Sequence, residues 1–256
     1  MYIFILVLTI LVLWMISFVF QNDFTVPTKS IKKYKNILVV YPHPDDEVLT
    51  VGGCVKCLER TSSNTTLLVL TKGEAGESYT KNVNDLKVIR TKELQRASDI
   101  LGFKDLIQMD LGDGRLEENA NRVKNEIENV LVKVKPDLVI TYDRAGLYGH
   151  TDHIVASEII TKLKTKYGYK LWYSSFPKRV MKLIKLPEHM AKDYNYAAKR
   201  QFPTHKVFVG LAVRAKVRAM YAHASQYNSF RSAYPYKFVP LWMYIWGTVY
   251  EHFCET

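Results

Sequence analysis

From Asn36 to Lys166 apolar runs alternate with amphipathic stretches, and this alternation narrows the fold more than any other feature of the chain. Ile37 to Val40 reads as a buried strand, Val48 to Arg60 as a helix, and Thr65 to Thr71 as a second strand. A long helix follows from about Asn84 to Leu101, where Leu86, Ile89, Leu94, Ala97 and Leu101 recur near helical spacing and Gly102 ends the run. Leu106 to Leu111 gives a third strand, and Glu117 to Lys135 a helix stopped by Pro136. Asp137 to Tyr142 gives a fourth strand, before a helix that reaches Lys166. Apolar strands separated by helices call for a mainly parallel sheet covered on both faces, an α/β, Rossmann-like fold. In one common winding the first strand lies beside the fourth, where strand order reverses, and ligands bind outside the carboxyl ends of the strands there.

Two polar clusters stand at those two strand ends. Tyr41-Pro42-His43-Pro44-Asp45-Asp46-Glu47 follows the first strand, and Gly149-His150-Thr151-Asp152-His153 follows the fourth. Three consecutive carboxylates repel one another unless a cation or a proton relieves them, so the first cluster reads as half of a metal site. Catalytic Zn²⁺ is usually held by three N/O ligands with a position left for water. His43 and Asp46 can converge on one ion across a strand-to-helix turn, and His153 could supply the third ligand. Asp45 is then free to abstract a proton, and His150 to stabilise or protonate a tetrahedral intermediate. Asp152 could hold the imidazole of His150 in the useful tautomer. Taken alone, the acidic residues of the first cluster would also suit a helix N-terminus.

The flanks carry other signals. Tyr2 to Phe20 has no charged residue, and about 20 apolar residues match the hydrocarbon thickness of a bilayer. A cleaved signal peptide would need a basic leading segment and a small-x-small cleavage site, which this run lacks. Residues 1–21 therefore read as a transmembrane anchor and 22–35 as a basic juxtamembrane linker. With Lys29, Lys32, Lys33 and Lys35 just downstream, the catalytic domain falls on the cytoplasmic side. The net charge of +11 is uneven: residues 161–256 hold 17 Lys/Arg against 4 Asp/Glu. Lys178 to Phe202 forms a basic, tyrosine-bearing insertion, Lys206 to Ala212 a strand, and Val213 to Ser225 a helix. The aromatic stretch Phe238 to Phe253 suits either a bilayer interface or core packing. Three cysteines without a framework argue against a disulfide scaffold.

Pro42-His43-Pro44-Asp45-Asp46-Glu47 together with Gly149-His150-Thr151-Asp152-His153 resembles the LmbE-like (PIG-L) family of zinc-dependent de-N-acetylases, which act mainly on N-acetylglucosaminyl conjugates. The resemblance covers roughly Asn36 to Gln226 and includes Gly73-Glu74-x-Gly76, Arg90-x-x-Glu93-Leu94, Asp113-Gly114 and His223-Ala224-Ser225-Gln226. It implies His43, Asp46 and His153 as zinc ligands, with Fe²⁺ as an alternative metal. It also implies Asp45 as general base and His150 as the electrophilic or acid group. Tyr148 takes a position near the oxyanion in some members, and Lys72 a position where several have a basic substrate contact. Arg90 and Glu93 form either a surface pair or part of the cleft wall. Asp113 is either a turn residue or a partner of a sugar hydroxyl, and His223 either caps the pocket or is a satisfied helix histidine. Lys72, Arg90, Asp113 and His223 are thus the candidate substrate contacts.

These readings make residues 36–256 a deacetylase domain acting on an amino-sugar conjugate, with a lipid-linked conjugate suggested by the N-terminal anchor and the basic surface. The competing reading is a membrane-tethered module that binds anionic lipid or nucleic acid and carries a vestigial metal site. The intact His/Asp constellation disfavours it, and no specific nucleic-acid partner is expected. A nucleotide-binding domain is excluded more directly, because three carboxylates stand where a G-x-G-x-x-G turn would have to cradle a pyrophosphate. Nothing in the sequence specifies an oligomeric state.

Overall fold

The computed structural model describes residues 2–76, 82–182, 196–232 and 239–256. In chain order these form α1 (Tyr2–Gln21), β1 (Asn36–Tyr41), α2 (Asp46–Thr50), α3 (Gly52–Leu58), β2 (Asn64–Val69), α4 (Val83–Leu101), β3 (Asp105–Gln108), α5 (Ala120–Val134) and β4 (Leu138–Tyr142). There follow α6 (Gly146–Gly149), α7 (Thr151–Tyr167), β5 (Lys170–Ser175), α8 (Lys178–Met181), β6 (His205–Phe208), α9 (Val213–Ala222), α10 (Tyr227–Ser232), α11 (Leu241–Trp246) and β7 (Tyr250–Glu255). Residues 183–195 of the expected basic insertion and Phe238, the start of the expected aromatic stretch, lie outside the described residues.

The seven strands run in the order β3-β2-β1-β4-β5-β7-β6. β1 pairs in parallel with β2 on one side and β4 on the other, so strand order reverses between β1 and β4 as the alternation predicts. Along β1 the two-residue repeat divides the side chains between two cores. Ile37, Val39 and Tyr41 pack with α2, α3, α4 and α9, while Leu38 and Val40 pack with α5 and α7. A strand covered on both faces has no solvent side, and this is why β1 and β4 are apolar at nearly every position.

The C-terminal part departs from a simple parallel extension. The expected strand over Lys206 to Ala212 is confined to β6, and a short 3₁₀ turn, Gly210–Ala212, follows it. Residues 250–255, within and just beyond the aromatic stretch, form β7, which inserts antiparallel between β5 and β6. The single helix expected over Val48 to Arg60 is broken at Val51 into α2 and α3. The first N–H groups of α3 find a distant partner: the Glu251 carboxylate of β7 accepts from the backbone of Gly53 (2.9 Å) and Cys54 (2.7 Å) and from Lys216 Nζ of α9 (3.0 Å). Both members of this ion pair are buried. Glu251→Ala would leave an unpaired buried ammonium, and a loss of about 3–5 kcal/mol of unfolding free energy is expected in denaturant titrations. A loss below about 1 kcal/mol would show that the pair does not hold these elements together.

The anchor reading is corrected here. α1 forms over the apolar run, but no helix among the described residues is long and apolar enough to cross a membrane. The C-terminal end of α1 is tied to the folded domain. Buried Asn22 donates through Nδ2 to Gly247 O (2.6 Å), and the Arg179 guanidinium donates to the carbonyls of Val19, Phe20 and Asn22. Membrane localisation with a cytoplasmic catalytic domain, membrane attachment through the N-terminal helix, and a transmembrane helix preceding the fold are all set aside. Residues 22–35 run against the sheet edge: the N–H of Lys29 donates to Lys206 O (2.8 Å), that of Lys206 to Pro27 O (2.9 Å), and Ile31 and Tyr34 are buried.

Candidate active site

The loops leaving the carboxyl ends of β1, β2, β3 and β4 meet above the β1/β4 boundary, and the two polar clusters meet there. His43 Nδ1 lies 3.1 Å from His153 Nε2 and 3.5 Å from Asp46 Oδ2, and His153 Nε2 lies 3.4 Å from Asp46 Oδ1. Each imidazole is oriented from its far side. His153 Nδ1 donates to Gly146 O (3.2 Å), and His43 Nε2 donates to Asp113 Oδ1 (3.0 Å) and Asp152 Oδ2 (3.2 Å). Two ring nitrogens and a carboxylate thus face one another across a gap that either a proton or a cation must fill. Burial is outweighed by Asp113, Asp152 and Asp46, which raise the His43 pKa well above its usual value, so that without an ion His43 can carry that proton. The separations of 3.1–3.5 Å, which reach one Asp46 oxygen from His43 and the other from His153, lie near the ligand separation of about 3.3 Å expected in a tetrahedral site with Zn–N/O bonds near 2.0–2.1 Å. The residues present therefore fit a metal ion. Two other sets of donor atoms each lie within 4.8 Å of one another: His43, His150 and His153, and His43, Asp113 and Asp152.

Asp46 is itself held in place, accepting from the backbone N–H of His43 (3.0 Å) and from the Tyr142 hydroxyl (3.1 Å). Burial would raise its pKa, but His153 and His43 outweigh burial and hold the carboxyl well below the usual range. Asp45 behaves oppositely. Burial pushes it up to about 7 against the pull of Arg90, with the neighbouring Asp46 charge adding to the rise. Its side chain is 19% exposed, and its backbone sits at φ 114°, a conformation costly for a residue with a Cβ. Burial, together with His153 and His43, brings His150 down to about 3. His150 Nδ1 accepts from the Asp152 N–H (3.2 Å), which leaves its proton on Nε2.

The second loop owes its shape to Asp143, whose Oδ1 accepts from the N–H groups of Ala145 (3.2 Å) and Leu147 (3.0 Å). This fixes Leu147 at φ 64°. The turn carries Tyr148, half-buried, with its ring 5.1 Å from that of His153.

Several expected roles meet a different geometry. The Asp152 carboxylate faces His43 and accepts from the N–H groups of Gly114 (2.7 Å) and Leu116 (3.2 Å); its link to His150 is through the backbone. Arg90 is only 3% exposed and spends its guanidinium on Asp45 Oδ2 (2.9 Å), Gly73 O (2.7 Å) and Pro44 O, so it braces Asp45 from below. Gly73, at φ +71°, allows this: a Cβ there would lie 2.4 Å from Arg90 Cζ. Glu93 does not pair with Arg90; it accepts from Ser225 N (2.8 Å) and Ser225 Oγ (2.6 Å). Asp113, with Oδ2 accepting from Ala75 N (2.9 Å), joins His43. His223 is fully buried against Glu47 at 2.7 Å. Of the four candidate substrate contacts, Lys72 takes no part in these bonds and is half-buried.

Tyr142 and Glu47 were not among the sequence candidates. A signal for buried Arg90 and Glu93 was present, since both fall within the inward stripe Leu86, Arg90, Glu93, Leu94, Ala97, Leu101 of α4.

A family model described as PIG-L, GlcNAc-PI de-N-acetylase, matches residues 38–164. A probable N-acetyl-alpha-D-glucosaminyl L-malate deacetylase 2 of Bacillus anthracis is 31% identical over 203 residues, covering 77% of this chain and 83% of the relative. Some other curated relatives are matched over only about half of their own length. Among solved structures, an N,N'-diacetylchitobiose deacetylase from Pyrococcus horikoshii aligns with TM-score 0.63 at 19% identity, over 89% of this chain and 85% of that one. GalB, a 4-carboxy-2-hydroxymuconate hydratase from Pseudomonas putida, aligns with TM-score 0.57 at 20% identity, over 82% of each chain. At that identity the likeness shows the fold alone, and the fold serves more than one reaction. Sequence identity over most of both chains to the Bacillus protein, with the family match spanning both polar clusters, shows that this protein belongs to the PIG-L (LmbE-like) family.

Proposed function

We propose that the protein is a metal-dependent hydrolase that removes the N-acetyl group from an N-acetylglucosaminyl conjugate and releases acetate. The reading is carried by one observation: a ring nitrogen of His43, a ring nitrogen of His153 and the two carboxylate oxygens of Asp46 approach one another at 3.1–3.5 Å, beside the Asp45 carboxyl that burial pushes up to about 7. His43, Asp46 and His153 would hold the ion. Zn²⁺ there supplies a Lewis acid for the acetamide oxygen and lowers the pKa of water; two imidazoles and a carboxylate also suit Fe²⁺.

The remaining steps belong to the chain. Asp45, fixed by Arg90, takes the proton of the attacking water, and a group titrating near 7 suits that task at neutral pH. His150, neutral with its proton on Nε2, donates to the developing oxyanion, which favours the electrophilic role over the acid one. Protonated Asp45 then returns its proton to the departing sugar amine, so the amide bond breaks without a covalent enzyme intermediate. Tyr148, whose ring lies 5.1 Å from that of His153, is the candidate for assisting at the oxyanion, and Asp152 and Asp113 serve by orienting His43. Lys72 is the candidate for a substrate contact.

The substrate stays at the class of amino-sugar conjugates: of the two features that suggested a lipid-linked one, the anchor and the basic surface, the first has no helix among the described residues long and apolar enough to supply it. The binding-module alternative loses its footing too, since a vestigial site would have no reason to keep all three donors and their outer partners. An acetate-release screen over N-acetylglucosaminyl conjugates, run with metal analysis of the same sample, tests the reading. Acetate and free amine are expected in equal amounts, lost on chelation and restored by Zn²⁺. Absence of acetate from every conjugate, or release indifferent to chelation, would sink it.

A further inference from the structure

Glu47 is fully buried, and its two carboxylate oxygens are divided between two partners. Oε1 accepts from His223 Nε2 at 2.7 Å, and Oε2 accepts from the backbone N–H of Asp45 at 2.9 Å. The second bond is made by the residue whose backbone is held at φ 114°. A conformation this costly persists only where its surroundings over-determine it.

The turn that begins at His223 reaches Asp45 by a second route. Ser225, two residues on, binds Glu93 through its N–H and its hydroxyl, and Glu93 lies on α4 one turn from Arg90, whose guanidinium holds the Asp45 carboxylate. One short turn after α9 therefore braces both the backbone and the side chain of Asp45. It lies outside residues 38–164, where the family match falls. Since Glu47 and His223 are each 0% exposed, neither can touch a substrate.

We propose that the buried Glu47–His223 pair is a positioning device for Asp45: Glu47 pins the Asp45 amide, and His223 pins Glu47. The inference rests on Asp45 acting as the base. A pair that only stabilised the fold would change melting temperature without selecting the turnover step or the Asp45 amide.

Glu47→Ala, Glu47→Gln and His223→Leu in the zinc-loaded full chain separate these readings. Amide exchange at Asp45 is followed by NMR, alongside zinc content, kcat and KM. In Glu47→Ala, exchange at the Asp45 amide is expected to quicken at least about tenfold. Zinc content should stay at the wild-type value, and kcat should fall about 10- to 100-fold with KM within about twofold. Glu47→Gln, whose amide oxygen can still accept from Asp45, is expected to recover most of both losses, and His223→Leu to follow Glu47→Ala in direction. Unchanged exchange and kcat in folded, zinc-loaded Glu47→Ala would overturn the proposal, as would zinc, kcat and KM all deteriorating together. If Glu47→Ala does not fold, His223→Leu and Glu47→Gln decide by the same criteria. If the wild-type protein releases no acetate, the deacetylase reading fails, and the exchange measurement alone decides this one.

Discussion

Asp45→Asn is expected to lower kcat for acetate release by about 10³-fold while zinc content stays at the wild-type value. The substitution is nearly isosteric. Its amide oxygen can still accept from Arg90 Nη2, which now lies 2.9 Å from Asp45 Oδ2, so the loop should keep its shape. What disappears is the ability to take a proton from water and return it to the amine. Asp45 also lies outside the triangle of His43, Asp46 and His153, so removing its charge should leave metal affinity nearly intact. Acetate release and metal content measured on one preparation check this. A variant that kept more than a tenth of wild-type turnover would remove Asp45 from the role of base, and one that lost its zinc would make it a ligand.

The complementary expectation concerns the ligands. In His153→Ala one corner of the triangle is deleted, and the remaining pair, His43 and Asp46, offers only two protein donors where a catalytic site uses three. Zinc affinity is expected to fall by more than about 10³-fold, with activity lost in parallel and partly regained at high added Zn²⁺. The fold should survive, because the apolar clusters on both faces of the sheet do not depend on His153. Metal titration with circular dichroism of the same sample checks both statements. Unaltered zinc stoichiometry would rule out His153 as a ligand.

The parallel half of the sheet was legible because each strand is short, apolar and followed by a helix, so local pattern and global topology agree. The meeting of His43 with His153 was legible for a related reason: the rule that loops gather at strand carboxyl ends turns separation in sequence into proximity. β7 was not legible. Its partners are set by long-range antiparallel pairing, and its Tyr250-Glu251-His252 start lacks the apolar run that marks β1. Asp152 was assigned to the wrong imidazole, because spacing along a helix start cannot say which of two rings a carboxylate faces. The uncharged run over α1 matched a bilayer span by length, but sequence could not show that Asn22 and Arg179 tie its end to the domain.

The position of β7 also has a kinetic meaning. It follows β5 and β6 in the chain yet lies between them, so β6 reaches the sheet only through β7. The parallel strands can assemble from near neighbours, whereas this last pairing must close a long loop, a slow class of folding event. Glu251 arrives with β7 and caps α3 across a separation of 198 residues. Refolding is therefore expected to pass through a species with an ordered β1–β5 sheet and a loose helix behind the metal loop, so that tight zinc uptake marks the end of folding instead of initiating it.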